Sequence, residues 1–436
     1  MTKKQFFPVI GLEIHVELTT KRKMFCGCPA DHFDKEPNTQ TCPVCLGLPG
    51  ALPVPNKEAL RRTTLLALAL KCQINKKTWF DRKNYFYPDL AKGYQISQFF
   101  RPLGIDGQVS LKEKTVNIKE VHLEEDTAKS LIKGNKRQLD FNKSGVPLIE
   151  IVSCPDLKSA EEAKNYAQKI YQIVRVLKIS PANMEKGQMR LEANISLKKN
   201  PQDPLPNYKV EVKNINSFRY LYNAITYEIK RQKKLLLDNQ KIVQETRGYN
   251  AKKKITYSQR TKEESYEYRY FPEPDIPPLN LSKLFNIKNL KDSLPELPEK
   301  TISNLVKQYQ LSRYQADILV KKYPKRGEKT LALAKKNNLK ANDVANAIIN
   351  KDYPLNKMTP QDFIKKMKST QKVELITGDK LEKIINLVIK ENPEAVKDYQ
   401  SGKKAAFGFL IGQVQQKAKG QADIAKTKQI LNKILN

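Results

Sequence analysis

Residues 9–18 read VIGLEIHVEL, and polar and apolar side chains alternate along this stretch. Leu12, Ile14, Val16 and Leu18 fall on one side of an extended chain, with Glu13, His15 and Glu17 on the other, because successive strand side chains point to opposite faces. An apolar face needs a covering layer, so the stretch reads as a strand in a sheet with one buried and one polar face. Other segments repeat the pattern. KEVHLEED sets Val121, Leu123 and Glu125 against Glu120, His122 and Glu124. MRLEANISL sets Met189, Leu191, Ala193, Ile195 and Leu197 against Arg190, Glu192, Asn194 and Ser196. YKVEVKNINSF sets Tyr208, Val210 and Val212 against Lys209, Glu211 and Lys213, and VPLIEIV carries Glu150 inside an apolar run.

Polar residues are ordinary on the wet face of a sheet, but glutamate is disfavoured in strands and lysine or threonine would serve as well. Carboxylates recurring on several strands therefore point to chemistry. Glu150, flanked by Leu148, Ile149, Ile151 and Val152, needs a cation or donors if buried. His15 is one of three histidines and sits between two glutamates. Carboxylates, an imidazole and nearby Lys and Arg suit Mg²⁺ and nucleotide phosphates. Neither G-x-x-x-x-G-K-[ST] nor a G-x-G-x-x-G after a strand occurs, so ATP would not be held by a P-loop or Rossmann turn.

Cys26, Cys28, Cys42 and Cys45 form C-x-C and C-x-x-C pairs separated by thirteen residues, with Gly27 and Pro43 supplying tight turns. This is near the spacing of a tetrahedral thiolate zinc site, and four thiolates leave no open position, so the expected role is structural. His32 lies between the pairs as an alternative ligand; Cys72 and Cys154 read as packed apolar residues.

The first ~275 residues mix strands with helices, and the remainder reads as helical. Asn56 is placed to cap KEALRRTTLLALALK, and Ser217 to cap FRYLYNAITYEIKRQKKLLL. Asp156 precedes a run with Ala160, Ala163, Tyr166, Ala167, Ile170, Ile173, Val174 and Leu177 at helical spacing, stopped at Ser180-Pro181. FPEPDIPPL, residues 271–279, fits neither helix nor central strand and marks a domain edge there or just after. Segments such as EKTISNLVKQY and RYQADILVKKY are short amphipathic helices. The expected fold is α+β: a cradle built on an antiparallel sheet with flanking helices over residues 1–290, a helical domain over 291–370 and a helical tail over 371–436.

The formal net charge is +33, and residues 281–436 hold 31 Lys+Arg against 15 Asp+Glu, a denser excess than in the rest of the chain. Such surface favours a polyanionic partner, above all nucleic acid. No apolar stretch approaches a membrane span and no cleavable leader is visible, so a cytoplasmic protein with reduced or metal-bound cysteines is expected. Three histidines leave little for a Cys-His-Glu glutaminase triad, and no Ser-Ser-Lys amidase pattern is present. Release of ammonia from glutamine would fall to another chain.

VIGLEIHVEL, CPVCLGLPGALPVPN, FDRKNYFYPDLAKGYQISQ, HLEEDTAK, DFNKSGVPLIEIVSCPD, MRLEANISL, EVKNINSFRYL and KEESYEYRYFPEPDIPPL together resemble the GatB family of aspartyl/glutamyl-tRNA amidotransferases, nearly continuously over residues 8–279. The segment from NLVIKENPEAVKDYQ onward resembles that family's small helical domain that touches tRNA. The resemblance implies ATP-dependent phosphorylation of the side-chain carboxylate of Glu-tRNA(Gln) or Asp-tRNA(Asn), followed by amidation. The ammonia would come from a separate amidase subunit, and a small third subunit would clamp the two together in a heterotrimer. The resemblance also implies that Glu13, His15, Glu125, Glu150 and Glu211 hold Mg²⁺, with Glu124 contributing. Arg190, Lys213 and Asn214 become phosphate and transition-state partners, and Glu263, Arg269 and the FPEPD run shape the aminoacyl end. Glu192 and Glu267 stand where the family usually has Asp, and the chain lacks several tens of residues around Lys366–Val373. The archaeal-type, glutamate-only relative carries an inserted domain for which 436 residues leave no room. The competing reading is a non-catalytic, zinc-stabilised RNA-binding protein whose polar strand faces only contact phosphates.

Overall fold

Strand Phe7–Glu17 lies in the middle of a nine-stranded sheet in the computed structural model, which describes residues 5–435 apart from 112–113, 262–267, 324, 351–354, 356, 372–375 and 419. From one edge the order is Ile255–Thr261, Glu245–Asn250, Val210–Ile215, Met189–Lys198, Phe7–Glu17, Pro147–Ser153, Thr115–Glu125, Gly104–Ser110 and Gln73–Ile74. The expected α+β class is the one observed, but the sheet is mixed rather than purely antiparallel. Val210–Ile215 and Glu245–Asn250 run parallel, because the helix Phe218–Leu237 connects them as a crossover instead of a hairpin.

Ile10, Leu12, Ile14 and Val16 are at most 1 % exposed and pack with residues of three helices, Lys57–Ala69, Ala160–Leu177 and Phe218–Leu237. The helices start where their caps dictate. Asn56 accepts the N–H groups of Glu58 and Ala59 at 2.9 and 3.1 Å, and Ser217 accepts that of Tyr220 at 3.1 Å. The cap of the middle helix is Ser159, whose hydroxyl accepts from Glu162 N–H, while Asp156 instead accepts the N–H of Asn117. That helix ends at Leu177, one residue before Lys178 takes a left-handed conformation (φ 55°), ahead of Ser180-Pro181.

The first compact unit runs to Lys300 and the second from Thr301. The proline-rich stretch lies inside the first: Phe271 pairs with Arg82 and Leu279 with Thr78, and buried Glu273 takes two hydrogen bonds of 2.7 Å from Arg82. In the second unit, the helices from Pro298–Tyr309, whose first turn precedes Thr301, to Pro360–Gln371 gather one apolar core around Leu319, Leu331 and Phe363. The helices from Asp379–Glu391 to Ile424–Leu435 gather another around Leu381, Val388 and Leu410. Of the stretch Lys366–Val373, where the resemblance implies missing residues, Lys372 and Val373 lie outside the described residues.

The crossover helix is tied to the sheet by a buried charge. Glu228, 0 % exposed, takes Arg231 at 2.7 Å, the Thr256 hydroxyl at 2.9 Å and the Gln232 amide at 2.9 Å. Removing one partner of such a pair strands the others without water. Glu228→Ala is expected to lower the stability of the first unit by about 3 kcal/mol or more. Urea unfolding followed by the single tryptophan, Trp79, measures it; a change under about 1 kcal/mol would contradict the structural role given to Glu228.

Candidate active site

The face of the sheet away from the helices collects the alternate residues. Strand pairing sets Glu150 opposite both His122 and His15, and His15 opposite Arg190, so these four form a row across four strands. Further along, Glu13 faces Glu192, Asn194 faces Glu211, and Glu211 faces Thr246. Two acidic groupings result, and in each the candidate ligand atoms lie within 4.8 Å of one another: His15, Glu124 and Glu150, then Glu13, Glu192 and Glu211.

In the first, His15 Nε2 is 3.3 Å from Glu150 Oε2 and 3.8 Å from Glu124 Oε1, while His122 Nε2 is 3.1 Å from the same Glu150 oxygen. In the second, Lys213 Nζ is 3.0 Å from Glu192 and 3.6 Å from Glu211. The Asn194 amide donates to Glu13 at 2.7 Å and the Thr246 hydroxyl to Glu211 at 2.9 Å. A cavity of about 830 Å³ opens over both groupings, with Arg190 and Lys213 in its wall. An adjoining cavity of about 510 Å³ shares Glu13, Glu150, Lys83 and Tyr270.

The charges are mutually dependent. Burial pulls the His15 pKa down, but the Glu150 carboxylate more than reverses this, and the imidazole is raised to about 9. Burial opposes ionisation of Glu150 too, yet His122 and His15 hold it well below the usual carboxylate range. Glu13 is pushed up by burial and then by Glu150, Glu192 and Glu211; Glu124 is pushed up by burial and by Glu150. Carboxylates that resist ionising together are a site awaiting cations. The buried His15 Nδ1 and Asn194 Oδ1 also lack hydrogen-bond partners among the described residues. The oxygen-rich donor set fits a divalent cation such as Mg²⁺.

Of the residues named from sequence, Glu13, His15, Glu124, Glu150, Arg190, Glu192, Glu211 and Lys213 all meet here. Glu125 does not. It lies on the same side of its strand as Val121 and Leu123, as alternation demands, and its carboxylate takes Lys92 Nζ at 2.5 Å and the Ile96 N–H at 3.0 Å. Glu124 stands beside His15 and Glu150 instead. Asn214 is also displaced: a register shift beside it and a left-handed backbone (φ 63°) leave it exposed, apart from the cavity lining. Arg269 is exposed, and Glu263 and Glu267 lie outside the described residues. Sequence reading gave no role to Lys83, Tyr85, Asp126, Tyr268 and Tyr270, which line the cavity. Lys83 Nζ lies 5.0 Å from the Tyr268 ring centre.

Cys26, Cys28, Cys42 and Cys45 bring their sulfurs within 4.8 Å of one another and form no disulfide. The hydrogen bond from Cys26 lowers the Cys45 pKa to about 4, whereas burial raises Cys28 to about 11. Four sulfurs gathered this closely suit a cation that would hold them as thiolates, and the all-sulfur set fits zinc. Lys23 Nζ adds positive charge 3.7 Å from Cys45 Sγ. His32 is 3.0 Å from Glu17 rather than among the sulfurs.

Two outcomes are expected. Purified protein should carry about one zinc per chain by elemental analysis, lost together in Cys42→Ser and Cys45→Ser; zinc retained by both variants would contradict the site. In magnesium-free protein the raised pKa keeps His15 as imidazolium, contributing stability fully below its unfolded value and losing it as pH rises through about 9. Saturating Mg²⁺ should move that NMR titration downward, because a cation beside Glu150 repels the imidazolium; an unmoved His15 signal would contradict the cation site.

Known proteins share this arrangement of sequence. A family model described as the GatB/GatE catalytic domain matches residues 8–286, and one described as a GatB domain matches residues 353–435. Among similar proteins, the aspartyl/glutamyl-tRNA(Asn/Gln) amidotransferase GatB chain of Thermotoga maritima is 40 % identical over 480 positions, covering 99 % of each chain. That of Persephonella marina is 38 % identical, covering 99 % of this chain and 100 % of its own. That of Roseiflexus castenholzii is 39 % identical, covering 99 % of each. The alignment with the Thermotoga protein spans 480 positions while this chain has 436 residues, so more than forty of its positions have no counterpart here. The chain belongs to the GatB family of the aspartyl/glutamyl-tRNA(Asn/Gln) amidotransferases.

Proposed function

We propose that this chain is the ligase subunit that activates the side-chain carboxylate of Glu-tRNA(Gln) or Asp-tRNA(Asn) with ATP and converts it to the amide. The observation that carries this is the pair of acidic groupings side by side on one sheet face, with Arg190 and Lys213 in the same cavity wall. A carboxylate is a poor acceptor for ammonia because its carbon carries no leaving group. An oxygen of that carboxylate attacks the γ-phosphorus of ATP, and ADP departs. Ammonia then adds to the acyl carbon, phosphate departs with the bonding pair, and a proton lost from nitrogen leaves the amide.

His15, Glu124 and Glu150, and Glu13, Glu192 and Glu211, would hold Mg²⁺, which when bound neutralises charge on the phosphate oxygens. Arg190 and Lys213 would meet the oxygens of the transferring phosphoryl group, where charge spreads. Lys83, with Tyr85, Tyr268 and Tyr270 around it, walls the same cavity and would help exclude water. The four cysteines would hold structural zinc. Nothing among the described residues supplies a glutaminase centre, so ammonia would come from the amidase subunit, with the small third subunit completing the complex. The dense positive charge of residues 281–436 supports tRNA contact by the helical domain and by the tail over 371–436. A cytoplasmic setting fits an enzyme of translation, and no helix among the described residues is long and apolar enough to cross a membrane.

Reconstitution with the amidase and small subunits, followed by Gln-tRNA formation from Glu-tRNA(Gln), ATP and glutamine, tests this. Glu150→Gln keeps shape but removes the charge shared by both histidines, and should cut amidation by roughly 100-fold or more with tRNA binding intact. Wild-type complex that binds tRNA but neither consumes ATP nor amidates would leave a non-catalytic RNA-binding protein.

A further inference from the structure

Asp126 follows directly on the strand that carries Glu124, and its side chain is 2 % exposed. Its Oδ2 meets Arg190 Nη2 at 3.0 Å and Lys143 Nζ at 2.5 Å, and its Oδ1 accepts the Thr127 N–H at 2.9 Å. The main chain is pinned as well. Asp126 N–H donates to Val146 O at 2.8 Å, and Gly145 N–H donates to Asp126 O at 2.9 Å. The loop carrying Lys143 is held by residues just before the cysteine segment: Met24 N–H donates to Gly145 O at 2.6 Å, and the Lys23 ammonium to Phe141 O at 3.1 Å.

Arg190 and Asp126 line the 830 Å³ cavity, whereas Lys143 is outside that lining. A guanidinium has several N–H donors in a fixed plane. One nitrogen held by a rigid carboxylate fixes that plane and leaves the remaining donors for a ligand. The cost is electrostatic, since Asp126 cancels the charge that Arg190 would offer an anion. Lys143 offsets it, leaving the trio with one net positive charge at the cavity wall.

We infer that Asp126 and Lys143 are positioning residues for the reaction: Asp126 aims the Arg190 guanidinium into the cavity, and Lys143 neutralises Asp126 so that Arg190 keeps its attraction for a phosphoryl group. The inference rests on the proposed contact of Arg190 with that group. Truncating Lys143 leaves Arg190 in place but electrically spent, so the loss falls on turnover rather than on tRNA affinity.

The test uses the full complex with Lys143→Met, Lys143→Arg and Arg190→Met, and the Lys143→Met/Arg190→Met double variant. Turnover, KM for ATP, tRNA affinity by filter binding and urea unfolding are measured for each. Lys143→Met should lower kcat on the order of 100-fold with tRNA affinity unchanged, and Lys143→Arg should recover most of the loss. The double variant should be no slower than Arg190→Met alone, because the two residues act as one unit. Lys143→Gln, which keeps a hydrogen bond to Asp126 without the charge, replaces the methionine variant if that one does not fold. Wild-type turnover in Lys143→Met, or a loss that multiplies in full with that of Arg190→Met, overturns the positioning role while the amidotransferase reading stands. A wild-type complex that fails to amidate removes both.

Discussion

One carboxylate organises the centre of this molecule. Glu150 sits on a strand next to the central one and accepts contacts from His15 on one neighbour and His122 on the other, at 3.3 and 3.1 Å. That arrangement exists only in the observed register. A slip of one residue on either side would turn the glutamate toward the helices and bring Ile149 or Ile151 to the polar face. The site is thus specified by the same alternation that builds the core, because Ile14 and Val16 face the helices for the reason that His15 faces the cavity.

The polar face is costly in the absence of its ligands. Glu13 and Glu124 are pushed toward protonation by burial and by their neighbours, and Lys213 is drawn between Glu192 and Glu211. The apolar layer beneath supplies the stability that tolerates this, through strands and helices with side chains at or near 0 % exposure. Elsewhere the same chain handles buried charge differently. Glu228 is saturated by Arg231, Gln232 and Thr256, which marks it as structural. Carboxylates with matched donors hold the fold; carboxylates set against one another leave room for cations and phosphates.

Much of this was legible in the sequence because strand alternation is a local signal. The sheet, its polar face, the caps at Asn56 and Ser217 and the cysteine pairs all follow from spacing. Glu125 shows where two lines of reasoning diverged: alternation grouped it with Val121 and Leu123, resemblance placed it at the metal, and the structure sides with alternation. Asn214 is assigned to the phosphates by resemblance alone; alternation sets it opposite Lys213, and the register irregularity beside it leaves it exposed and outside the cavity lining. Lys83, Tyr268 and Tyr270 reach the cavity from segments remote in sequence, so no periodicity could have assigned them. The parallel pair has no such local signal: spacing marks no strand over residues 245–250, and the crossover helix sets its direction.

Cation binding on the polar face is the property on which the proposed chemistry depends. Crystals grown with Mn²⁺ and a non-hydrolysable ATP analogue, measured at the manganese absorption edge, address it directly. The expected result is anomalous density among His15, Glu124 and Glu150 or among Glu13, Glu192 and Glu211, with the analogue's phosphates toward Arg190. Density confined to the cysteine segment, or a polar face with no bound metal at saturating Mn²⁺, would contradict it.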